Sequence, residues 1–455
     1  MTVISIKPNI KLEIREFFKL AIPLASAQIA QAATGFIDTV MMGWLGAQTL
    51  AAGGLAAMTF TTLVMTISGI LSGVSPMVAQ AYGARHKTQV GRIMRQGLWL
   101  AMVLAIPGML FLSHLDALML QLGQAAPTVT LANTYLDIMV WGLFPALGFT
   151  VLRSLVSSLS QARPVMIVVI AATLFNAFGN YVLAFGKLGF PKMELAGLAV
   201  ASVCAHWIMF LSLLMYVLVH KSLQQYQLFQ NLIKIELKII SELLWVGLPI
   251  GVITALEYGL VTILTFLMGM LGTNVLAAHQ IVLQTMVVIF MIPLAMSYAT
   301  TVRVAGWMGQ KNHQGARQAG YLSMGLGGLF MAVTAIALLF NLEKVIGLYL
   351  NIKNPENASV VAIALPMLAV ASCGQILDGV QRTANGALQG LKDTRVPMLL
   401  SLIAYWGIGL TSGYFLGFYL GLGGVGLWIG QSIGFGMGAV FFMWRFRRLM
   451  FVGKS

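Results

Sequence analysis

Residues 20–52 read LAIPLASAQIAQAATGFIDTVMMGWLGAQTLAA, and residues 246–278 read VGLPIGVITALEYGLVTILTFLMGMLGTNVLAA. The two stretches share one frame. Pro23 stands 226 positions before Pro249, Leu45-Gly46 before Leu271-Gly272, and Leu50-Ala51-Ala52 before Leu276-Ala277-Ala278. Between the proline and the Leu-Gly pair each stretch runs about twenty residues, the length a helix needs to cross the hydrocarbon of a bilayer. A single acid interrupts each run, Asp38 in the first and Glu257 in the second. The chain therefore reads as a duplicated set of membrane-spanning helices.

The frame extends outward from these stretches. Ala79 and Gly83 match Ala305 and Gly309 at the same offset. Arg153 and Leu159 match Arg382 and Leu388 at an offset of 229, Pro164 and Tyr181 match Pro397 and Tyr414 at 233, and Gly197-Leu198 match Gly426-Leu427 at 229 again. Over all 455 residues the chain is 59% hydrophobic and 9% charged, with mean hydropathy +0.88. Soluble domains carry about 25% charged residues, and a soluble fold of this size has no means of hiding so much apolar surface.

Apolar runs predict twelve helices at roughly 17–43, 49–80, 95–114, 128–151, 163–186, 195–219, 243–271, 275–308, 318–341, 357–388, 396–420 and 424–446. They form an all-α integral membrane fold with an N-terminal six-helix bundle at 1–226 and a C-terminal one at 227–455. Six is even, so the bundles are parallel repeats. Residues 220–242 link them and have the spacing of an amphipathic helix lying on the inner membrane surface.

The net charge of +14 sits between the apolar runs. Of the 27 Lys and Arg, only Lys187, Lys192, Lys344 and Lys353 fall on one side of the membrane, and the remaining 23 fall on the other. The positive-inside rule then places both termini in the cytoplasm, which requires an even number of spans. No basic stripe interleaved with aromatics points to nucleic acid. Cys204 and Cys373 lie in apolar runs without CxxC partners and read as packing residues.

Three of the thirteen acids lie deep inside spans: Asp38, Glu257 and Asp378. A charge at mid-membrane costs about 2.5–3.5 kcal/mol on insertion scales, and such residues mark ion or substrate paths by default. Arg153, Arg303 and Arg382 read as lying toward the inner ends, so no basic residue is expected at the acids' depth. The acids are not repeat-related: Asp38 maps to Leu264, Glu257 to Gln31, and Asp378 to Phe149. A buried carboxylate is discharged by a proton or by a bound cation. These states exclude one another, which is what exchange requires. Asn176 and Asn180 share a face of the fifth helix and are candidates either for a first-bundle cavity with Asp38 or for interhelical hydrogen bonding. Gln280 lies near the outer start of the eighth helix, within reach of a cation. His206 and His279 lack the partners of a metal site.

Enzyme signatures do not fit. Gly430-Gln431-Ser432-Ile433-Gly434 matches GxSxG but lies in a small-residue span rather than at a strand–turn–helix elbow. Gly453-Lys454-Ser455 lacks the earlier glycine of a phosphate loop. No cofactor is expected, and the energy source is an ion gradient.

The sequence resembles the multidrug and toxic compound extrusion (MATE) transporters, in particular their NorM-like branch, over nearly its whole length. The resemblance is carried by LAIPLASAQIAQAATGFIDTVMMGWLG from Leu20, SPMVAQAYGAR from Ser75, VLAAHQI from Val275 and QILDGVQRTANGALQGLKDTRVP from Gln375. It implies a V-shaped pair of six-helix bundles in a bacterial cytoplasmic (inner) membrane. It also implies export of small organic, often cationic, compounds by antiport against Na⁺ or H⁺. The acids matching Glu257 and Asp378 would hold the coupling cation, a possible Na⁺ site, with Gln280 nearby, and the acid matching Asp38 would serve the first-bundle cavity. Some members place a Tyr one turn before the tenth-helix acid, where this chain has Gly374. A monomer is the expected state. A lipid-linked precursor flippase shares the broad architecture but should show a basic cavity, and a narrow-substrate metabolite exporter is the other alternative.

Overall fold

The computed structural model describes residues 9–121, 125–228, 230, 233–352 and 354–452. Lys7, Lys353 and the Gly453-Lys454-Ser455 tail lie outside the described residues. Among those described, twelve helices are long and apolar enough to cross a membrane. In chain order they are Ile10–Leu45, Gln48–Gly83, Lys87–Ser113, Ala126–Ser158, Arg163–Phe185, Glu194–Val219, Leu237–Met270, Thr273–Gly309, His313–Leu339, Pro355–Gly390, Arg395–Tyr419 and Gly423–Phe451. They are called the first to twelfth spans below.

The spans match the predicted helices, and the differences collect at the charged ends. The first begins at Ile10 instead of near 17, and the fourth runs to Ser158 instead of 151. A helix satisfies its backbone internally in lipid and in water alike, so it does not stop where the apolar run does.

The repeat recurs in the backbone. Gly46 and Gly272, the repeat-related glycines before the second and eighth spans, take φ of 127° and 118°, values that L side chains rarely adopt. Arg85 and Lys311, also 226 apart, both turn left-handed at φ 60° and 57°.

The chain divides into two compact units, residues 22–251 and residues 1–21 with 252–455. The dividing points lie beside the repeat-related Pro23 and Pro249, where a helix loses a hydrogen bond and bends. The start of the seventh span therefore packs within the 22–251 unit. A Cβ at Gly247 would strike the Ile70 carbonyl there, so glycine is required for the approach. In the other unit, the first span's start is tied to the eighth. Buried Glu13 accepts from Arg303 Nε at 2.8 Å and from Trp307 Nε1 at 3.1 Å.

In the 22–251 unit the fourth span is the central helix, with 78% of its most apolar window buried. Leu143, Leu147, Val151, Leu152, Leu155 and Val156 on it are wholly inaccessible. In the other unit the repeat-related tenth span takes this place, packed on the apolar side by Met367, Leu368 and Ala364.

Two expectations are corrected. The linker is not a continuous amphipathic helix: its described residues form one helical turn, Lys221–Gln224, then turns and an irregular stretch at 234–236. The third span captures the linker at both its turns and its irregular stretch. Arg95 Nη1 donates to the Gln227 carbonyl at 3.0 Å, and Gln96 Nε2 donates to the Lys234 carbonyl at 2.8 Å. Arg92 donates from Nε to Glu236 and holds that carboxylate below its usual range. These tertiary bonds take backbone groups that a helix would have used. Cys204 and Cys373 are free and exposed rather than packed. A lipid-facing side is as apolar as the core, so composition does not separate the two faces.

Candidate functional site

The tenth span places Asp378 and Arg382 one turn apart. Helical side chains lean toward the N-terminus, so Arg382 reaches back and its Nε donates to Asp378 Oδ1 at 3.2 Å. Its Nη1 donates to Glu257 Oε2 on the seventh span at 2.6 Å. The guanidinium lies 4.3 Å from the ring centroid of Phe290 on the eighth span, within cation–π range. From the eleventh span Tyr405 donates to Glu257 Oε1 at 3.5 Å and accepts from Gln381 Nε2. Asp378 is 6% exposed and Arg382 9%.

The expectation that no base lies at the acids' depth is therefore overturned. Arg382 pairs with both Glu257 and Asp378. Distance to the span end does not set the depth of this charge, because a long side chain leaning back one turn carries it into the bundle. The spacing Asp378–Arg382 is the i,i+4 signal of a helical ion pair and was legible. Tyr405 carried no such signal. It stands in a π-helical stretch, Leu402–Leu410, within the eleventh span, while the repeat-related fifth span is regular α-helix. Two carboxylates against one guanidinium leave the cluster a formal charge of −1.

In the 22–251 unit, Asp38, Asn176 and Asn180 do meet. Asn180 Nδ2 donates to Asp38 Oδ1 at 2.5 Å and to Asn176 Oδ1 at 3.1 Å. Asn176 Nδ2 donates to Ser202 Oγ at 3.1 Å, and Ser202 Oγ lies 3.4 Å from Asp38 Oδ2. Both asparagines are wholly buried. Ser202, on the sixth span, carries no sequence signal, because serines occur in eleven of the twelve spans. Its neighbour His206 donates from Nδ1 to the Ser202 carbonyl at 2.8 Å. The hydrogen bonds described to Asp38 all come from neutral groups, whereas those to Asp378 and Glu257 include a cation.

Gln280 is exposed and makes no described bond to the cluster; its neighbour His279 is the buried one, sharing a hydrogen bond with Thr265 at 3.0 Å. Gly374 lies against the twelfth span, where a Cβ would collide with Ser432. An aromatic residue at that position has no room, and the site's aromatic groups come from Phe290 and Tyr405 instead. The GxSxG serine donates to the Trp428 carbonyl at 2.9 Å within its own helix, as packing predicts.

The MatE family model matches residues 23–182 and again 249–415, the two copies beginning at the repeat-related prolines. The chain belongs to the MatE family. It is 55% identical over 455 residues to a probable multidrug resistance protein NorM from a Synechocystis species, covering 100% of this chain and 99% of that one. It is 37% identical to a multidrug resistance protein NorM of Burkholderia vietnamiensis, covering 94% of this chain and 92% of that protein. Among solved structures, a eukaryotic MATE transporter, AtDTX14, matches at TM-score 0.86 and 20% identity over 96% of both chains. An outward-facing multidrug resistance MATE family transporter matches at 0.87 and 19% over 97% of both. At those identities the structures establish the MatE fold alone.

Proposed function

We propose that this MatE protein is a cation-coupled antiporter that exports organic, often cationic, compounds by alternating access, with Na⁺ or H⁺ as the coupling ion. The observation that carries the reading is the cluster of partly buried Glu257 and buried Asp378, acids from two different spans that converge on one positive group. Membrane proteins bear the cost of such groups where ions or substrates pass. The multidrug names of the full-length NorM relatives support the substrate class. Asp38, with Asn176 and Asn180, supplies a polar acidic site in the other unit for substrate or a proton. A pyrophosphate-carrying flippase fits less well, because Arg382 is already matched by two carboxylates.

One charge crossing 100 mV is worth about 2.3 kcal/mol. If one coupling cation enters as one monovalent drug cation leaves, the electrical terms cancel. A tenfold ion gradient then supplies about 1.4 kcal/mol, or tenfold accumulation.

The test uses purified protein in liposomes loaded with a fluorescent cationic dye, with inward Na⁺ and H⁺ gradients imposed separately. Efflux driven by one gradient and lost in Glu257→Gln and Asp378→Asn is expected. Full activity in both variants would remove the carboxylate mechanism.

A further inference from the structure

We infer that Arg382 is a tethered stand-in for the coupling cation, whose guanidinium must leave Glu257 and Asp378 for the ion to bind and returns to expel it. This inference rests on the reading of the Glu257–Asp378 cluster as the coupling site. Three observations lead to it. Arg382 takes one oxygen from each acid, bridging groups on the seventh and tenth spans as a bound cation would. It also occupies the aromatic face of Phe290, which would otherwise be open to a cation. Finally, Asn385, one turn toward the inner end of the same span, has a buried Oδ1 without a hydrogen-bond partner among the described residues. A displaced guanidinium can find that acceptor without leaving the bundle.

The physical consequence is competition. While Arg382 is seated, an entering cation meets a formal charge of −1 shared with a guanidinium at contact distance. Once Arg382 is removed, it meets −2. Binding should then tighten and release should slow, because no internal cation is left to drive the ion out.

The experiment compares wild type, Arg382→Met and Arg382→Lys in the dye-loaded liposomes, using whichever ion drives wild-type efflux. It measures the half-saturating ion concentration and the maximal rate separately. Arg382→Met is expected to lower the half-saturating concentration about tenfold or more and to lower the maximal rate. Arg382→Lys keeps the charge but loses the planar fork, so its shift should be in the same direction and smaller. An unchanged half-saturating concentration in Arg382→Met would overturn the inference. So would a folded Arg382→Met protein that responds to no ion concentration. Should Arg382→Met fail to fold by size-exclusion chromatography, the Lys variant decides: a lowered half-saturating concentration supports the competition and an unchanged one overturns it. Glu257→Gln and Asp378→Asn separate the two levels. If they leave the ion dependence intact, the coupling site itself is misplaced. If they abolish it while the Arg382 variants do not shift it, only the competition fails.

Discussion

The fourth and tenth spans occupy the same place in the repeat, yet their buried faces differ in kind. At an offset of 229, Ala146, Phe149, Leu152 and Val156 of the fourth span correspond to Gln375, Asp378, Gln381 and Asn385 of the tenth. All eight are buried. At these positions one helix presents apolar side chains, and the other carries a polar stripe through the same frame. The arginine is common to both. Arg153 donates to Gln28 at 3.1 Å, whereas its counterpart Arg382 holds two acids. One architecture thus supports a packed core in one unit and an ionic cluster in the other. The position of a helix fixes its burial, and only the residues on it decide whether burial is spent on packing or on charge.

The sharpest way to break this comparison is to remove the charge that distinguishes the tenth span. Asp378→Asn should reduce gradient-driven dye efflux more than about tenfold while the protein stays folded, read in liposomes against protein-free leak. Leu152→Gln puts the tenth span's chemistry into the fourth. It buries an amide with no designed partner and should cost about 1–3 kcal/mol, seen as a lower melting temperature in detergent. If the melting temperature does not move, the fourth span's core is not tightly packed.

Asp38→Asn preserves most of the hydrogen bonding with Asn180 and Ser202 while removing the charge. A several-fold fall in efflux with an unchanged melting temperature is expected. Equal losses of both would mean that Asp38 serves only the fold. The reverse swap, Gln381→Leu, should have the smallest effect on stability, below about 1 kcal/mol. It removes the bond to Tyr405 but also removes a buried Oε1 that has no partner among the described residues. Its mark should instead be a changed half-saturating ion concentration, because Tyr405 also donates to Glu257.

Much of the molecule was legible in its residues. Run length and charge placement marked every span, and Pro23/Pro249 and Gly46/Gly272 exposed the duplication. Depth singled out Asp38, Glu257 and Asp378, and helical spacing put Asn176 and Asn180 on one face. These features could be read because a bilayer imposes one rule on every span: the backbone must bond to itself and the side chains must be apolar on average. Departures from that rule stand out in one dimension.

What surrounds each departure was decided by the tertiary structure. The partnership of Glu257 with Arg382 joins residues 125 positions apart, and that of Asp38 with Asn180 joins residues 142 apart. Tyr405 reaches its acid from a π-helical turn, and the linker gives up its helix to bonds from Arg95 and Gln96. In a span where lipid-facing and core-facing sides are equally apolar, hydropathy carries no direction. The sequence alone therefore determined how many helices there are and which of their residues are out of place. Which of those residues meet depended on how each helix is rotated and seated against its neighbours, and side-chain packing within each unit settles that.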